Sequence, residues 1–167
     1  GIEPNVSIKD TWAKMKENNV KTIPILKDEE LVGVISTGDI ATSYMDVYDN
    51  RVLSDAKTQY KNIIKTLDGT LVTGNEHGYF TKGKVADLMA EFIEKDDLVI
   101  LGNRYESQAC AVDIDASCLV VCQGAKVSEE LVQKAEERSI VIISTPHDTF
   151  TAARLINQSI PVKHFMS

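Results

Sequence analysis

Gly33-Val34-Ile35-Ser36-Thr37-Gly38-Asp39-Ile40 is the stretch on which the reading of this chain turns. A short apolar run ends here in a small polar turn, and the pattern that follows predicts a helix over residues 37–45. Where a strand feeds straight into a helix, backbone N–H groups, a hydroxyl and a carboxylate meet at an exposed edge, which suits a ribose and a phosphate. Ser36-x-x-Asp39 is equally the spacing of a capping box, in which two side chains satisfy each other's backbone donors. Both readings stand at this point.

Working outward, Asn5-Val6-Ser7-Ile8-Lys9-Asp10 predicts a helix start, with Ser7 as cap and Asp10 where a capping-box acid sits. Ile8, Trp12 and Met15 follow at helical spacing as its expected apolar face, and the helix is expected to end near Asn18-Asn19. Thr22-Ile23-Pro24-Ile25-Leu26 predicts a short strand whose proline points to an edge or an irregular pair. Lys27-Asp28-Glu29-Glu30 predicts a charged hairpin turn, with Leu31 to Ile35 returning as the second strand.

That order, with Val6-Ser7, Lys21-Thr22-Ile23-Pro24-Ile25 and the opening stretch, resembles the β-α-β-β-α unit of a CBS (cystathionine-β-synthase-type) domain. The resemblance implies an adenine-nucleotide site. Ser36 and Asp39 would hold phosphate and ribose with Thr37 close by, Lys21 would face the phosphates, and Ile23 and Pro24, next to Thr22, would flank the base. Capping and ribose contact are compatible, because a carboxylate facing ribose hydroxyls can still sit in a first helical turn. CBS motifs work in pairs and one copy is visible, over residues 1–50. Residues 161–167 resemble the lead-in to a second copy, so the chain is expected to be part of a longer regulatory region.

Residues 51–57 are expected to be a linker, because 45–57 is polar without sustained periodicity. Beyond it, Tyr60, Ile63, Ile64 and Leu67 share a helical face, Thr70-Leu71-Val72-Thr73 predicts a strand, and residues 74–83, with three glycines and His77, predict a mobile loop. Val85, Leu88, Met89, Phe92 and Ile93 predict a helical stripe. The strands Leu98-Val99-Ile100-Leu101, Cys118-Leu119-Val120-Val121 and Ile140-Val141-Ile142-Ile143 alternate with helices: one near 105–114, one capped by Ser128 with Leu131, Val132 and Ala135, and one opened by Asp148 or Thr149 with Phe150, Ala153 and Ile156. Apolar strands joined by single helices predict a parallel sheet covered on both faces, a Rossmann-like α/β domain over residues 58–160. It carries neither G-x-G-x-x-G nor G-x-x-x-x-G-K-[ST]. Residues 97–156 resemble the DRTGG family: Asn103-Arg104 stands for its Asp-Arg, Cys122-Gln123-Gly124 for its Thr-Gly-Gly, and Ser144-Thr145-Pro146-His147-Asp148-Thr149-Phe150 for its third segment. The resemblance implies a structural or dimer-forming role and assigns no binding residues.

Composition sets the outer limits. Hydrophobic residues at 43%, charged residues at 26% and a net charge of −7 describe a globular chain without a basic face for nucleic acid or anionic membrane. No apolar run approaches the ~18 residues of a membrane span, and a cytoplasmic location is expected. Cys110, Cys118 and Cys122 form no C-x-x-C pair and are expected as buried thiols in a reducing compartment. His77, His147 and His164 are too dispersed to suggest a metal cluster, so no metal or catalytic set is assigned. In His147-Asp148 the aspartate is the expected helix cap. Arg104 is open to an anion, a salt bridge or a dimer contact, and Glu129-Glu130 complement a helix dipole.

A CBS motif, a DRTGG-like domain and the start of another CBS motif resemble the regulatory insert of CBS-containing family II inorganic pyrophosphatases. That family is manganese- or cobalt-dependent, with the metal in an Asp-His-His catalytic domain lying outside this stretch. The resemblance implies a homodimeric sensor inhibited by AMP or ADP and activated by ATP or diadenosine polyphosphates. The alternatives are a dimerisation module with an empty nucleotide site, and a small phosphate-handling enzyme of the kind related to phosphotransacetylases.

Overall fold

The structure, a computed structural model, describes residues 1–45, 49–87 and 92–167. Its first helix, α1 (Ile8–Asn18), starts where Ser7 Oγ accepts the Asp10 N–H at 3.1 Å and stops at Asn19, whose left-handed φ of 50° turns the chain out. The buried face is Ile8, Thr11 and Met15, whereas Trp12, expected there, is 39% exposed. Thr11 replaces it because its hydroxyl donates to the Ser7 carbonyl at 2.8 Å, which removes the cost of burying a polar group.

Strands β1 (Thr22–Lys27) and β2 (Glu30–Ser36) pair antiparallel through a turn in which Asp28 and Glu29 both have positive φ, 51° and 68°, the two-residue geometry that matches strand twist. Pro24 sits opposite Val34. Val34 exchanges both of its backbone hydrogen bonds with Ser167, at 3.2 and 3.0 Å, so the Pro24 pair requires no N–H from the proline. Ile2 bridges β1 on its other side, so Pro24 is not at a bare edge. Helix α2 (Thr37–Met45) follows β2 without a gap.

Residues 51–57, expected as a linker, include the short helix α3 (Val52–Asp55), with Val52, Leu53 and Ala56 buried; Asp46, also in the expected polar stretch, lies outside the described residues. Next come β3 (Thr58–Gln59), α4 (Tyr60–Thr66), β4 (Thr70–Thr73) and β5 (Tyr79–Phe80). Contrary to the loop expected at 74–83, β5 pairs with β3 and Phe80 is fully buried. A further correction falls at residues 85–87, which form strand β6 (Val85–Asp87) and not a helical stripe. Leu88 and Met89 lie outside the described residues, Phe92 is 92% exposed, and Ile93 packs on the core.

The remaining elements are β7 (Leu98–Leu101), α5 (Tyr105–Asp113), β8 (Cys118–Val121), α6 (Glu129–Glu137), β9 (Val141–Ser144) and α7 (Thr149–Leu155). The sheet order is β4-β9-β8-β7-β6, with β6 to β9 parallel and β4 antiparallel at one edge. Every residue of β7 and β8 is buried, as a sheet covered on both faces requires. Val99, Leu119 and Ile142 face Ala111, Leu131 and Ala135 of α5 and α6, while Ile100, Val120 and Ile143 face the opposite cluster with Ile63 and Ala152. Phe150, expected on the inner face of α7, is 76% exposed, and Ala152 takes that place.

That second cluster does not stop at the sheet. It runs through Leu53, Ile63 and Leu67 into Ile8, Met15, Ile25 and Ile35 of the N-terminal unit. Asn62 adds a polar fastening, donating through Nδ2 to the Asn5 carbonyl at 2.8 Å and the Ser159 carbonyl at 3.1 Å. The Lys65–Asp10 ion pair at 2.8 Å crosses the same junction but is exposed, and contributes at most about 1 kcal/mol. Elsewhere Lys84 and Asp97 form a buried ion pair at 2.6 Å, with Glu94 at 3.0 Å. Burial pulls the Lys84 ammonium pKa down, but hydrogen bonds to Asp97 and Glu94 and their charges outweigh it and hold the pKa above its ordinary value.

Candidate functional site

The turn between β2 and α2 is a closed capping box. Asp39 Oδ2 accepts the Ser36 N–H at 2.8 Å and the Ser36 hydroxyl at 3.0 Å, while Ser36 Oγ accepts the Asp39 N–H at 3.2 Å. The Thr37 N–H donates to the Lys21 carbonyl at 3.0 Å, tying the start of β1 to the start of α2. One carboxylate oxygen does all the capping. Oδ1 of Asp39 accepts no bond from a described residue, and the side chain is half-buried.

Strand alternation decides which neighbours share this edge. Thr22 lies opposite Ser36 in the register, and Pro24 lies opposite Val34 on the same face; Thr22 and Pro24 are exposed. Lys21 is exposed and forms no ion pair among the described residues. Ile23 points the other way: it is 5% exposed, paired with Ile35 and part of the core. The structure therefore brings Lys21, Thr22, Pro24, Ser36, Thr37 and Asp39 to one shelf and leaves the Ile23 side chain behind it. Met166 and Ser167 also reach this sheet, a contact sequence spacing did not reveal. A Cβ on Gly33 would lie 2.7 Å from Met166 Sδ and 3.0 Å from the Ser167 carbonyl oxygen, so the absent side chain is the only local signal of that approach.

The α/β domain offers less. The chains leaving β8 and β9 diverge to opposite faces, which is where open parallel sheets usually form a ligand crevice. Here backbone bonds fill it: Gln123 N–H donates to the His147 carbonyl at 2.8 Å and Gly124 N–H to that of Thr145 at 3.0 Å. Gln123 and Gly124 take left-handed φ of 57° and 62°, conformations that favour glycine and account for the Gly-Gly of the family signature. His147 Nε2 is 3.0 Å from Asp68 Oδ2, whereas Asp148 Oδ1 accepts the Thr151 N–H at 2.6 Å as the cap of α7, so the two neighbours form no dyad. Thr151's backbone and hydroxyl hydrogen bonds hold the Asp148 carboxyl below its ordinary pKa. Arg104 caps α5 through its backbone alone and lines a cavity of about 300 Å³ with Asp87, Asn103, Ser107 and Thr149.

Cys118 and Cys122 are buried, and burial pushes both thiols up, Cys122 to about 11. Cys110, expected to be buried, is exposed on the outer side of α5. Among the described residues no group of His, Cys, Asp or Glu is placed to hold a metal ion, and no helix is long and apolar enough to cross a membrane.

Residues 2–46 match the CBS domain family, and residues 62–159 match the DRTGG domain family. The chain belongs to the CBS–DRTGG family. A search of solved structures places the CBS–DRTGG chain on the CBS and DRTGG domains of the regulatory region of the Clostridium perfringens pyrophosphatase, solved with the activator diadenosine tetraphosphate. The TM-score is 0.92 at 36% identity, over 99% of this chain and 75% of that one. The cobalt-dependent inorganic pyrophosphatase of Clostridium perfringens is 38% identical over 173 residues, and the probable manganese-dependent inorganic pyrophosphatase of Thermotoga maritima 26% identical over 172. The CBS–DRTGG chain spans 32% and 31% of their lengths. A third relative is the uncharacterized Bacillus subtilis protein YtoI, 26% identical over 165 residues. The CBS–DRTGG chain is homologous to the regulatory region of the Clostridium enzyme.

Proposed function

We propose that this chain senses adenine nucleotides as the regulatory region of a metal-dependent inorganic pyrophosphatase, and that the nucleotide is held on the shelf at Ser36, Thr37 and Asp39. The observation that carries the reading is the likeness to a regulatory region solved with diadenosine tetraphosphate. The geometry adds its own support, since Asp39 Oδ1 accepts no bond from a described residue, the Ser36 hydroxyl is bonded to the other oxygen of the same carboxylate, Thr37 follows directly, and Lys21 forms no ion pair among the described residues. Pro24 and Thr22 supply the exposed surface for the base.

In this reading AMP or ADP inhibits, ATP or a diadenosine polyphosphate activates, and the response passes through a homodimer to a catalytic domain that carries the manganese or cobalt. Linkage supplies the mechanism: a nucleotide that binds two arrangements of the dimer unequally shifts their equilibrium by its difference in affinity. Calorimetric titration of this chain and of Asp39→Asn with AMP and with diadenosine tetraphosphate tests it. The asparagine retains a cap but lacks the carboxylate, and a loss of about tenfold in affinity is expected for a charge-assisted hydrogen bond to ribose. Equal heats from both proteins overturn the assigned residues. No heat from either, with a stable dimer in sedimentation, makes the chain a dimerisation module.

A further inference from the structure

Where the CBS unit meets the α/β domain, a cavity of about 170 Å³ is lined by Ile8, Ser43, Tyr44, Arg154, Asn157 and Gln158. We propose that it is a second ligand site, for a small oxyanion of the phosphate class, distinct from the shelf at Ser36 and Asp39.

The lining chemistry carries the assignment. Tyr44, Arg154, Asn157 and Gln158 all bring N–H or O–H donors, and among the described residues no carboxylate lines the cavity. The Arg154 guanidinium makes no ion pair or hydrogen bond with a described residue, and neither do the side-chain amides of Asn157 and Gln158 or the Tyr44 hydroxyl. A guanidinium flanked by amides and hydroxyls that can each turn a donor toward a ligand suits a planar or tetrahedral oxyanion, and guanidinium is the side chain best shaped to bind one. The size agrees. The cavity falls below the ~300–1,000 Å³ typical of sites for whole cofactors, so it suits a phosphate group and not a nucleotide. Ser43 and Tyr44 stand in the last turn of α2, whose carbonyl end opposes an anion. Ser43 offsets part of that by donating its hydroxyl to the Ile40 carbonyl at 2.6 Å, and Arg154 brings the cationic charge, which also acts on the Asp148 carboxylate without forming an ion pair with it among the described residues.

Two sources supply this chemistry, free phosphate or pyrophosphate, and the phosphate end of a nucleotide held at Asp39. Ser43 lies one helical turn from Asp39 on the same face of α2, about 6 Å along the axis. The full chain, labelled with ¹⁵N, is titrated at constant ionic strength with inorganic phosphate and separately with AMP, with chloride as the control, while the side-chain amides of Asn157 and Gln158 are followed. Expected are saturable shifts of both amides, about tenfold weaker in Arg154→Gln and intermediate in Arg154→Lys, with an unchanged unfolding midpoint. Saturation by phosphate alone, persisting in Asp39→Asn, assigns the free anion and stands whether or not the nucleotide reading does. Saturation by AMP alone, lost in both Arg154→Gln and Asp39→Asn, assigns the nucleotide's own phosphate. Shifts that match the chloride control, or that are indifferent to Arg154→Gln, overturn the proposal.

Discussion

Gly33→Ala tests whether the carboxyl-terminal residues are an integral strand of the CBS sheet. Gly33 does not need glycine for its backbone conformation, since it is not among the positive-φ residues, so alanine brings no torsional strain. Restricting the unfolded chain would even favour the variant by about 0.4–1 kcal/mol. The new methyl meets Met166 Sδ at 2.7 Å, Met166 Cγ at 3.1 Å and the Ser167 carbonyl oxygen at 3.0 Å, all short of the ~3.5–4.0 Å of an optimal contact. Methionine can move its thioether, but the carbonyl moves only by lengthening the two Val34–Ser167 bonds. Overpacking of this kind costs about 1–3 kcal/mol, and subtracting the entropic gain leaves a net loss of about 1–2 kcal/mol. The loss is local, at the edge of β2. Amide exchange reads it directly: protection of the Val34 and Ser167 N–H groups should fall about tenfold while that of β7 and β8 holds. Unchanged protection at Val34 together with a raised unfolding midpoint would refute the reasoning.

Asn62→Asp replaces a donor to two carbonyls with a carboxylate facing them. The loss of both bonds should lower stability by about 2–3 kcal/mol in urea unfolding, and a change under about 0.5 kcal/mol would show that the junction is held by its apolar contacts alone. Asp148 contributes to acid sensitivity. Its pKa is lowered from 3.8 on folding, so its contribution is complete above the unfolded value and disappears as pH falls through the lower folded one. Thermal melts of Asp148→Ala should therefore lie below the parent at pH 6 and converge with it as the pH drops below about 4. A constant gap across that range would mean that Asp148 acts by something other than its charge.

The elements that sequence patterning placed correctly are those whose local chemistry is self-sufficient. Ser7 and Asn19 delimit α1 by their own side chain and backbone, Asp28 and Glu29 make their turn without help, and the apolar runs of β7, β8 and β9 are too short for helices and too uninterrupted for exposed strands. The misses belong to residues whose state is decided at a distance. Phe80 is buried because β5 finds β3 across the intervening chain, and Val85 is a strand residue because β7 offers it an edge. Trp12 and Thr11 exchanged roles through one hydrogen bond to Ser7. At the site, Ser36-x-x-Asp39 was legible as a capping box, and its spacing alone did not separate capping from ribose contact. The geometry puts the whole capping task on Oδ2 of Asp39, and the assignment of Oδ1 to a ribose hydroxyl belongs to the proposal. The faces of Ile23 and Pro24 follow from strand alternation once the register is known, whereas the arrival of Ser167 beside Val34 has no local signature except the missing side chain at Gly33.

The core that joins Ile8, Ile25 and Ile35 to Leu53, Ile63 and Ile156 bears on how such a chain can be recombined. A regulatory motif held on by a tether can be cut out and spliced before another catalytic body. This one cannot be lifted out at residue 50 without stripping the inner faces of α1 and α4 together, exposing Met15 on one fragment and Ile63 on the other. The transferable cassette is the pair, and chimeras should keep residues 2–167 intact and place their seams outside them. Grafts of the first fifty residues alone are expected to aggregate, however well the shelf at Ser36 and Asp39 is preserved.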